Sequence, residues 1–292
     1  MKRMRPFIIV AILCTGIFVA CSKESRIAIP YDGDKIVLNT LIQPDSLVYI
    51  RVTGSKPVRE YQNLKFPELK NAAVTMYEDG KSIPTPEWKV INGKGYYVSH
   101  APARAGSEYK ITVNYSGLTS VAATDSTPQR PEIRDAAAQK LGNRVRFSLK
   151  DNSNEKNYYR IRVYNADTVN GIITPFKRDT VKFRLDPSFN NNFADIIGNS
   201  YKGEVLLSDE RISGKDVLFV LQTSKQVTAS YMIVEVSNLT TGAFKYLDAT
   251  SDQRLEDGID FTLNPEDIYS NVENGYGIVA GVNAGRLSFA VE

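Results

Sequence analysis

SEYKITVNY, residues 107–115, places Tyr109, Ile111, Val113 and Tyr115 on one side of an extended chain and Glu108, Lys110, Thr112 and Asn114 on the other. Successive side chains of a strand point to opposite faces, so this period of two predicts a strand with one dry face and one wet face. The pattern runs outward in both directions. LVYIRVT (47–53) puts Val48, Ile50 and Val52 together, and NRVRFSLK (143–150) alternates Val145, Phe147 and Leu149 with Arg144, Arg146 and Ser148. NYYRIRVYN (157–165) and TVKFRL (180–185) continue it, which predicts antiparallel strands with one wet face. EDGK (78–81), NGKG (92–95) and VNAG (282–285) read as turns between strands. No segment carries a long 3.6-residue apolar period, although NNFADIIG (191–198) and NPEDIYSNV (264–272) suit short helical turns.

The expected fold is therefore all-β: two antiparallel β-sandwich domains of immunoglobulin or fibronectin-III-like kind, spanning 31–130 and 141–292. The break is expected in TDSTPQRPEIRDAAAQKLGN (124–143), where Pro128 and Pro131 interrupt any strand. An asparagine-rich excursion, DPSFNNNFADIIGNSYKGEV (186–205), reads as a solvent-facing loop or an inserted lid.

The first twenty residues follow a different logic. Lys2, Arg3 and Arg5 precede the uncharged run Pro6 to Ala20, which is shorter than the roughly 20 residues needed to span a bilayer. That order predicts a signal peptide over 1–20. Phe18-Val19-Ala20-Cys21 resembles the bacterial lipoprotein box, which makes Cys21 the expected lipidated residue at the start of a tether, 21–30. The alternative is a secreted protein with an incidental cysteine behind its cleavage site. Two or more acyl chains hold stably where one is marginal, so the expected attachment is permanent.

Composition then excludes several chemistries. The chain has 36 Lys+Arg against 33 Asp+Glu, and without Lys2, Arg3 and Arg5 the balance is 33 against 33, leaving no basic excess to attract nucleic acid. Both cysteines, Cys14 and Cys21, lie in the signal or at the anchor, so no thiol remains for a disulfide, zinc or nucleophilic catalysis. His100 is the only histidine. At a strand end before a proline-containing turn, it reads as an exposed side chain and not as the base of a triad.

The remaining candidates are few. Asp151 and Glu155 in KDNSNEKN form an oxygen-rich loop of a type that can hold Ca²⁺, but without the full ligand pattern, so a connecting loop is favoured and no metal or cofactor is expected. Glu256, Asp257 and Asp260 in RLEDGIDF have no fixed carboxylate opposite them. Gly275, Gly277 and Gly281 in NGYGIVAG are spaced G-x-G-x-x-x-G and precede a strand, which fails the dinucleotide fingerprint; Asn274-Gly275 reads instead as the entry to a terminal hairpin, YGIVAGV then GRLSFAV. Trp88, with the pairs Tyr96-Tyr97 and Tyr158-Tyr159, offers flat faces for stacking a sugar ring, though tyrosine is equally an ordinary strand residue.

PELKNAAVTMYEDGKSI (67–83), GKGYYVSHAPARAGSEYKITVNYSGLTSVAATDSTPQRPEI (93–133), LKDNSNEKNYYRIRVYN (149–165) and PEDIYSNVENGYGIVAG (265–281) together resemble a Bacteroidetes lipoprotein family known only as a domain of unknown function, number 4249. The resemblance covers nearly all of the chain after the signal. It implies an outer-membrane lipoprotein, often encoded beside TonB-dependent receptors, with no established catalytic activity and no catalytic residues to carry over. Asp45-Ser46-Leu47, Asp125-Ser126-Thr127, Asp167-Thr168-Val169 and Asp179-Thr180-Val181 resemble the Bacteroidetes O-glycosylation acceptor, making Ser46, Ser126, Thr168 and Thr180 candidates, with Ser126 foremost because it begins the expected break. Lys23-Glu24 after the cysteine, diluted by Arg26, favours the cell surface over the periplasmic face. The expected function is that of a lipid-anchored, non-catalytic accessory protein of the outer membrane that binds a TonB-dependent receptor in nutrient uptake. A surface adhesin or structural lipoprotein is the alternative, and a carboxylate-dependent hydrolase a distant third.

Overall fold

The computed structural model describes residues 31, 33–57, 66–189, 193, 200–251 and 268–292. Their strands run in the order β1 (Ile36–Ile42), β2 (Leu47–Gly54), β3 (Ala73–Glu78), β4 (Lys81–Ser82), β5 (Glu87–Ile91), β6 (Lys94–Pro102), β7 (Glu108–Asn114) and β8 (Val121–Ser126). Then come β9 (Glu132–Ala138), β10 (Arg144–Lys150), β11 (Tyr158–Val169), β12 (Ile172–Thr180), β13 (Phe183–Leu185), β14 (Glu204–Ser208), β15 (Asp216–Thr223) and β16 (Tyr231–Leu239). Among the described residues one α-helix, α1 (Thr241–Ser251), comes before the last strand, β17 (Tyr276–Ala290). The all-β architecture with several antiparallel sheets is the one the alternation predicts.

A nine-stranded sheet runs β12-β11-β16-β17-β1-β2-β6-β5, with β14 also on β11, and four-stranded sheets β4-β3-β7-β8 and β13-β15-β10-β9 complete the layers. One apolar core draws on β1–β3 and β6–β8 with Val272 and Val279; Ile36, Leu38, Ile50, Met76 and Ile111 are wholly buried there. A second draws on β10, β11 and β13–β16, around Val145, Phe147, Leu149, Ile161, Phe183 and Phe219. The expected turns at 78–81 and 92–95 form: Asp79 (φ 48°) with Gly80 (φ 75°), and Asn92 (φ 50°) with Gly93 (φ 74°), take the left-handed pair that tight hairpins require.

Three expectations are corrected. The terminal hairpin is one continuous strand: Tyr276–Gly281 of β17 pair in parallel with β1, Val282–Ala290 pair antiparallel with β16, and VNAG lies inside the strand. That parallel pairing with the start of the chain needs no turn, so nothing local marks it. A helix appears at α1, where none was read. Thr240 accepts the Ala243 N–H at 3.3 Å through Oγ1 as its cap, and Ala243 and Leu247 bury against Leu239, Val282 and the Tyr158 ring. Eleven residues are too few to display a long period. Finally, β11 lacks the predicted wet face, because Tyr159, Ile161 and Val163 face one core while Tyr158, Arg160, Tyr164 and Ala166 are buried on the other side.

The stretch 124–143, read from the sequence as a break, holds the end of β8 and all of β9, which pairs with β10. Proline cannot donate, but its carbonyl still needs a partner. Asn283 Nδ2 donates to Pro128 O at 2.9 Å and Asn238 Nδ2 to Gln129 O at 3.2 Å, so the proline segment is strapped onto β16 and β17. Asp125 closes the same seam, accepting from Thr240 Oγ1 and from the Gly281 N–H. Burial raises the pKa of its carboxyl despite these donors.

Candidate functional site

The site residues expected from the sequence scatter over the fold. Cys21, Glu256, Asp257 and Asp260 lie outside the described residues. His100 is exposed at the end of β6, with Nε2 3.0 Å from Thr85 O. Trp88 packs edge-on against Tyr97, ring centres 5.0 Å apart, and its indole lies where a side chain on residue 95 would stand, which is why that position is glycine. Tyr97 is pinned below it, donating to Leu69 O and accepting from the Ala72 N–H. Of the tyrosine pairs, Tyr158 stacks on Phe244 of α1 at 4.4 Å, and Tyr159 donates to Asp151 from inside the core. Among these rings only Tyr96 faces outward, with Tyr49 edge-on at 6.4 Å and the Arg51 guanidinium 5.6 Å from its ring centre.

The oxygen-rich loop after β10 is built around a buried acid. Asp151 accepts from Tyr159 Oη at 2.6 Å and from the Gly214 N–H at 2.8 Å, tying two loops together, and among the described residues no group of three ligating side chains suits a metal ion. Burial and the Asp151 charge together push the Tyr159 hydroxyl well above its ordinary pKa. Of the glycosylation candidates, Ser126 and Thr168 are exposed and Ser46 and Thr180 half-buried. Ser126 ends β8, where its carbonyl packs so close to Gly281 that no Cβ fits there. Gly277, at φ 112°, likewise leaves no space for a Cβ beside Leu38 O, so these two glycines serve the crossing of β17 over its neighbours. A pocket of about 320 Å³ lined by Asn165, Asp167, Thr228 and Ser230 sits beside the hairpin that carries Thr168.

The most concentrated polar group was not legible in advance. It lies on the second face of the β11-β16-β17 sheet, in cross-strand register: Arg162 opposite Glu235, and Glu235 opposite Arg286. Directly opposed residues put their side chains on the same face about 5 Å apart. Glu235 is wholly buried and takes Arg162 Nε at 2.9 Å on Oε1 and Arg286 Nε at 2.6 Å on Oε2. Burial works against its charge, but the two guanidiniums outweigh it and hold the carboxyl below its ordinary pKa. The next row pairs Arg160 with Ser237. Arg160 is 9% exposed and Ser237 fully buried, and among the described residues neither Arg160 Nε nor Ser237 Oγ has a hydrogen-bond partner. The sequence signal was present as Arg-x-Arg on β11 facing Glu-x-Ser on β16; alternation alone assigned the two arginines to water.

Comparison with known proteins adds family but not activity. No curated protein matches the chain significantly. Among solved structures, trypsin-activated alpha-2-macroglobulin from Escherichia coli is 12% identical with a TM-score of 0.22, over 72% of this chain and 15% of that one. A protein from Corynebacterium diphtheriae described as membrane anchored is 11% identical with a TM-score of 0.20, over 72% of this chain and 55% of that one. A model of one family matches residues 22–288, taking in every strand described above except the last two residues of β17, and the chain accordingly belongs to the family of the domain of unknown function DUF4249.

Proposed function

We propose that this protein is an outer-membrane lipoprotein, held through acyl chains on Cys21, that acts by binding and not by bond-making, as an accessory to a TonB-dependent receptor in nutrient uptake. The anchor rests on the basic, apolar, small-then-cysteine order of residues 2–21. The binding role rests on one observation about the described residues: their buried acids are consumed by the scaffold. Asp151 holds Tyr159 and Gly214, Asp209 accepts the Asn157 N–H at 2.7 Å, Asp186 accepts Arg144 Nε at 2.6 Å, and Glu235 bridges two arginines. Acids engaged in this way support strand packing and are poorly placed to move protons on a substrate.

Replacing Cys21 with alanine is expected to leave the folded body intact and release it from membranes, since the hold is covalent lipid. A Cys21→Ala protein that still sediments with membranes after a high-salt wash defeats the anchor. For the partner, affinity purification from mild-detergent membranes is expected to recover a TonB-dependent receptor in near-stoichiometric amount. Recovery of the lipoprotein alone, from membranes in which such receptors are abundant, moves the reading to a surface adhesin or structural lipoprotein. Protease shaving of intact cells decides the leaflet, loss of the 141–292 region from whole cells meaning surface display.

A further inference from the structure

The open face of the sheet between β1 and β5 carries a corner of aromatic rings. Alternation puts Tyr49 and Arg51 of β2 on this face with Tyr96 and Val98 of β6, Tyr49 standing opposite Val98 and Arg51 beside Tyr96. Lys89 and Glu87 of β5 lie opposite Tyr96 and Val98, and Asn39 of β1 lies opposite Arg51, with Leu41 one pleat on. The ring centres of Tyr49 and Tyr96 are 6.4 Å apart and their planes cross at 89°, so that one forms a floor where the other forms a wall. The edge of this corner is apolar as well, since Leu41 keeps 42% of its surface in solvent. Tyr49 differs from three other exposed rings. Lys35 lies over Tyr276, Arg144 over Phe189 and Arg184 over Tyr201, whereas among the described residues no cation lies over Tyr49.

The charged groups around the corner hold one another in place. Arg51 Nη1 donates to Glu68 Oε1 and to Gly95 O, both at 2.8 Å, and Lys89 Nζ lies 3.1 Å from Glu87 Oε2. The two cations of the ringed rows are therefore each matched by a carboxylate, while Lys94 and His100 stand on the same face in the rows beyond. Arg51 still has Nε and Nη2 without a hydrogen-bond partner among the described residues, so the fixed guanidinium keeps an edge of donors to offer. The ringed rows span four strands and one pleat, about 14 Å by 7 Å. A stable protein interface takes about 800 Å² from each partner and has few charges at its centre, whereas here Lys89, Glu87 and Lys94 stand exposed around the rings.

We propose that Tyr49 and Tyr96 form a binding site for a neutral oligosaccharide, one sugar ring laying its C–H face on an aromatic ring while its hydroxyls meet the Arg51 guanidinium edge and the Lys89–Glu87 pair. A sugar ring has an apolar face and a polar rim. The corner has the complementary parts, aromatic carbon at its centre and fixed donors and acceptors around it. Its area suits a few linked sugars and not a protein, and the matched ion pairs offer a polyanion no excess charge within the ringed rows. This deepens the reading of the chain as a binding protein by naming the chemistry of its ligand, and it rests on that reading.

The test uses the full-length protein in a polyoxyethylene detergent, which has no sugar head group to compete. It is titrated by calorimetry with cellohexaose, maltohexaose and mannohexaose, and with hexagalacturonate as the charged counterpart. At least one neutral hexasaccharide is expected to bind saturably and more tightly than hexagalacturonate. Tyr49→Ser is expected to lower that affinity about tenfold at unchanged melting temperature, and Tyr49→Phe to keep it, because stacking needs the ring and not the hydroxyl. Tyr96→Ser is expected to match the loss in Tyr49→Ser, and Arg51→Lys, which keeps the charge but loses the planar edge, to weaken binding several-fold. Tyr201→Ser, which removes an exposed ring beside the other core, is expected to change nothing. Four results overturn the site: no binding of any neutral hexasaccharide at millimolar concentration, unchanged binding in Tyr49→Ser, an equal loss in Tyr201→Ser, or hexagalacturonate binding as tightly as the neutral sugars. A concentration-dependent dimer that Tyr49→Ser abolishes would give the face to a second copy of the chain, and overturns the assignment too. Membrane fractionation and receptor co-purification report on the anchor and the partner independently, so the sugar site and the accessory-lipoprotein reading fail separately.

Discussion

The two ends of the nine-stranded sheet solve the same problem differently. At the β2-β6-β5 end the second face meets solvent, and Tyr49 (45% exposed), the exposed Lys89 and the half-buried Tyr96 stand on it. At the β11-β16 end the second face is covered, by α1 over Tyr158 and Leu239 and by a small apolar group of Tyr164, Ala166 and Ile233. Side chains that alternation sends outward are then trapped, and charged ones persist only by meeting partners in register. Polar alternation thus predicts which face a residue takes, but not whether that face is wet.

The sharpest way to break this contrast is Glu235→Ala. It leaves Arg162 beside a buried gap while Arg286, 58% exposed, falls back on solvent, so the cost is expected at the lower end of the about 3–5 kcal/mol for breaking a buried pair. Chemical denaturation measures it, and a loss comparable to that of a surface residue would mean that this face is open to water. The acid limb gives a second measurement. Because the folded-state pKa of Glu235 is depressed, its contribution is complete above the ordinary value of 4.5 and is lost as pH falls through the lower folded value. Wild type is therefore expected to lose more stability than Glu235→Gln on acidification below that value.

Next in size is Gly281→Ala, which forces a Cβ onto the Ser126 carbonyl at the seam between the two cores. Overpacking of this kind costs about 1–3 kcal/mol, and the backbone on both sides gives it little room to relax. The unfolding transition is expected to broaden or split as the two cores uncouple. A single sharp transition at unchanged midpoint would show that the seam does not couple them.

A smaller effect is expected from Asn283→Ala. It removes one donor from the Pro128 carbonyl, worth about 1 kcal/mol, and should raise proteolytic cutting between Thr124 and Asn143 relative to wild type. Unchanged protection of that stretch would mean that the β9 pairing alone holds it. Smallest of all, Tyr49→Ser and Lys89→Ala on the open face are expected to change stability by no more than about 0.5 kcal/mol, and a larger loss at either would show that this end of the sheet too is covered.

Much of this architecture is local in origin and was legible in advance. Period-two runs place Val48, Ile50 and Val52 of β2, Ile111 and Val113 of β7, and Val145, Phe147 and Leu149 of β10 inward, and Asp79-Gly80 and Asn92-Gly93 bend the chain between strands. Such signals depend only on residues two to four positions apart, so a single sequence contains them whole. The resemblance carried by NYY and IYSNVENGYGIVAG likewise led to the family that the match over 22–288 establishes.

Other features required chain segments far apart in sequence to meet. The parallel pairing of Val37–Ile42 with Tyr276–Gly281, the straps from Asn238 and Asn283 to the proline segment, and the burial of Arg160 and Glu235 all depend on partners tens to hundreds of residues away. No local period encodes such a partner. The amino-acid order by itself determined that these segments would be strands and which edge of each would be apolar. Only the tertiary structure decided which second faces were covered, and so whether an arginine on them would be solvated or paired, because the cost of a charge is set by what surrounds it and not by the residue that bears it.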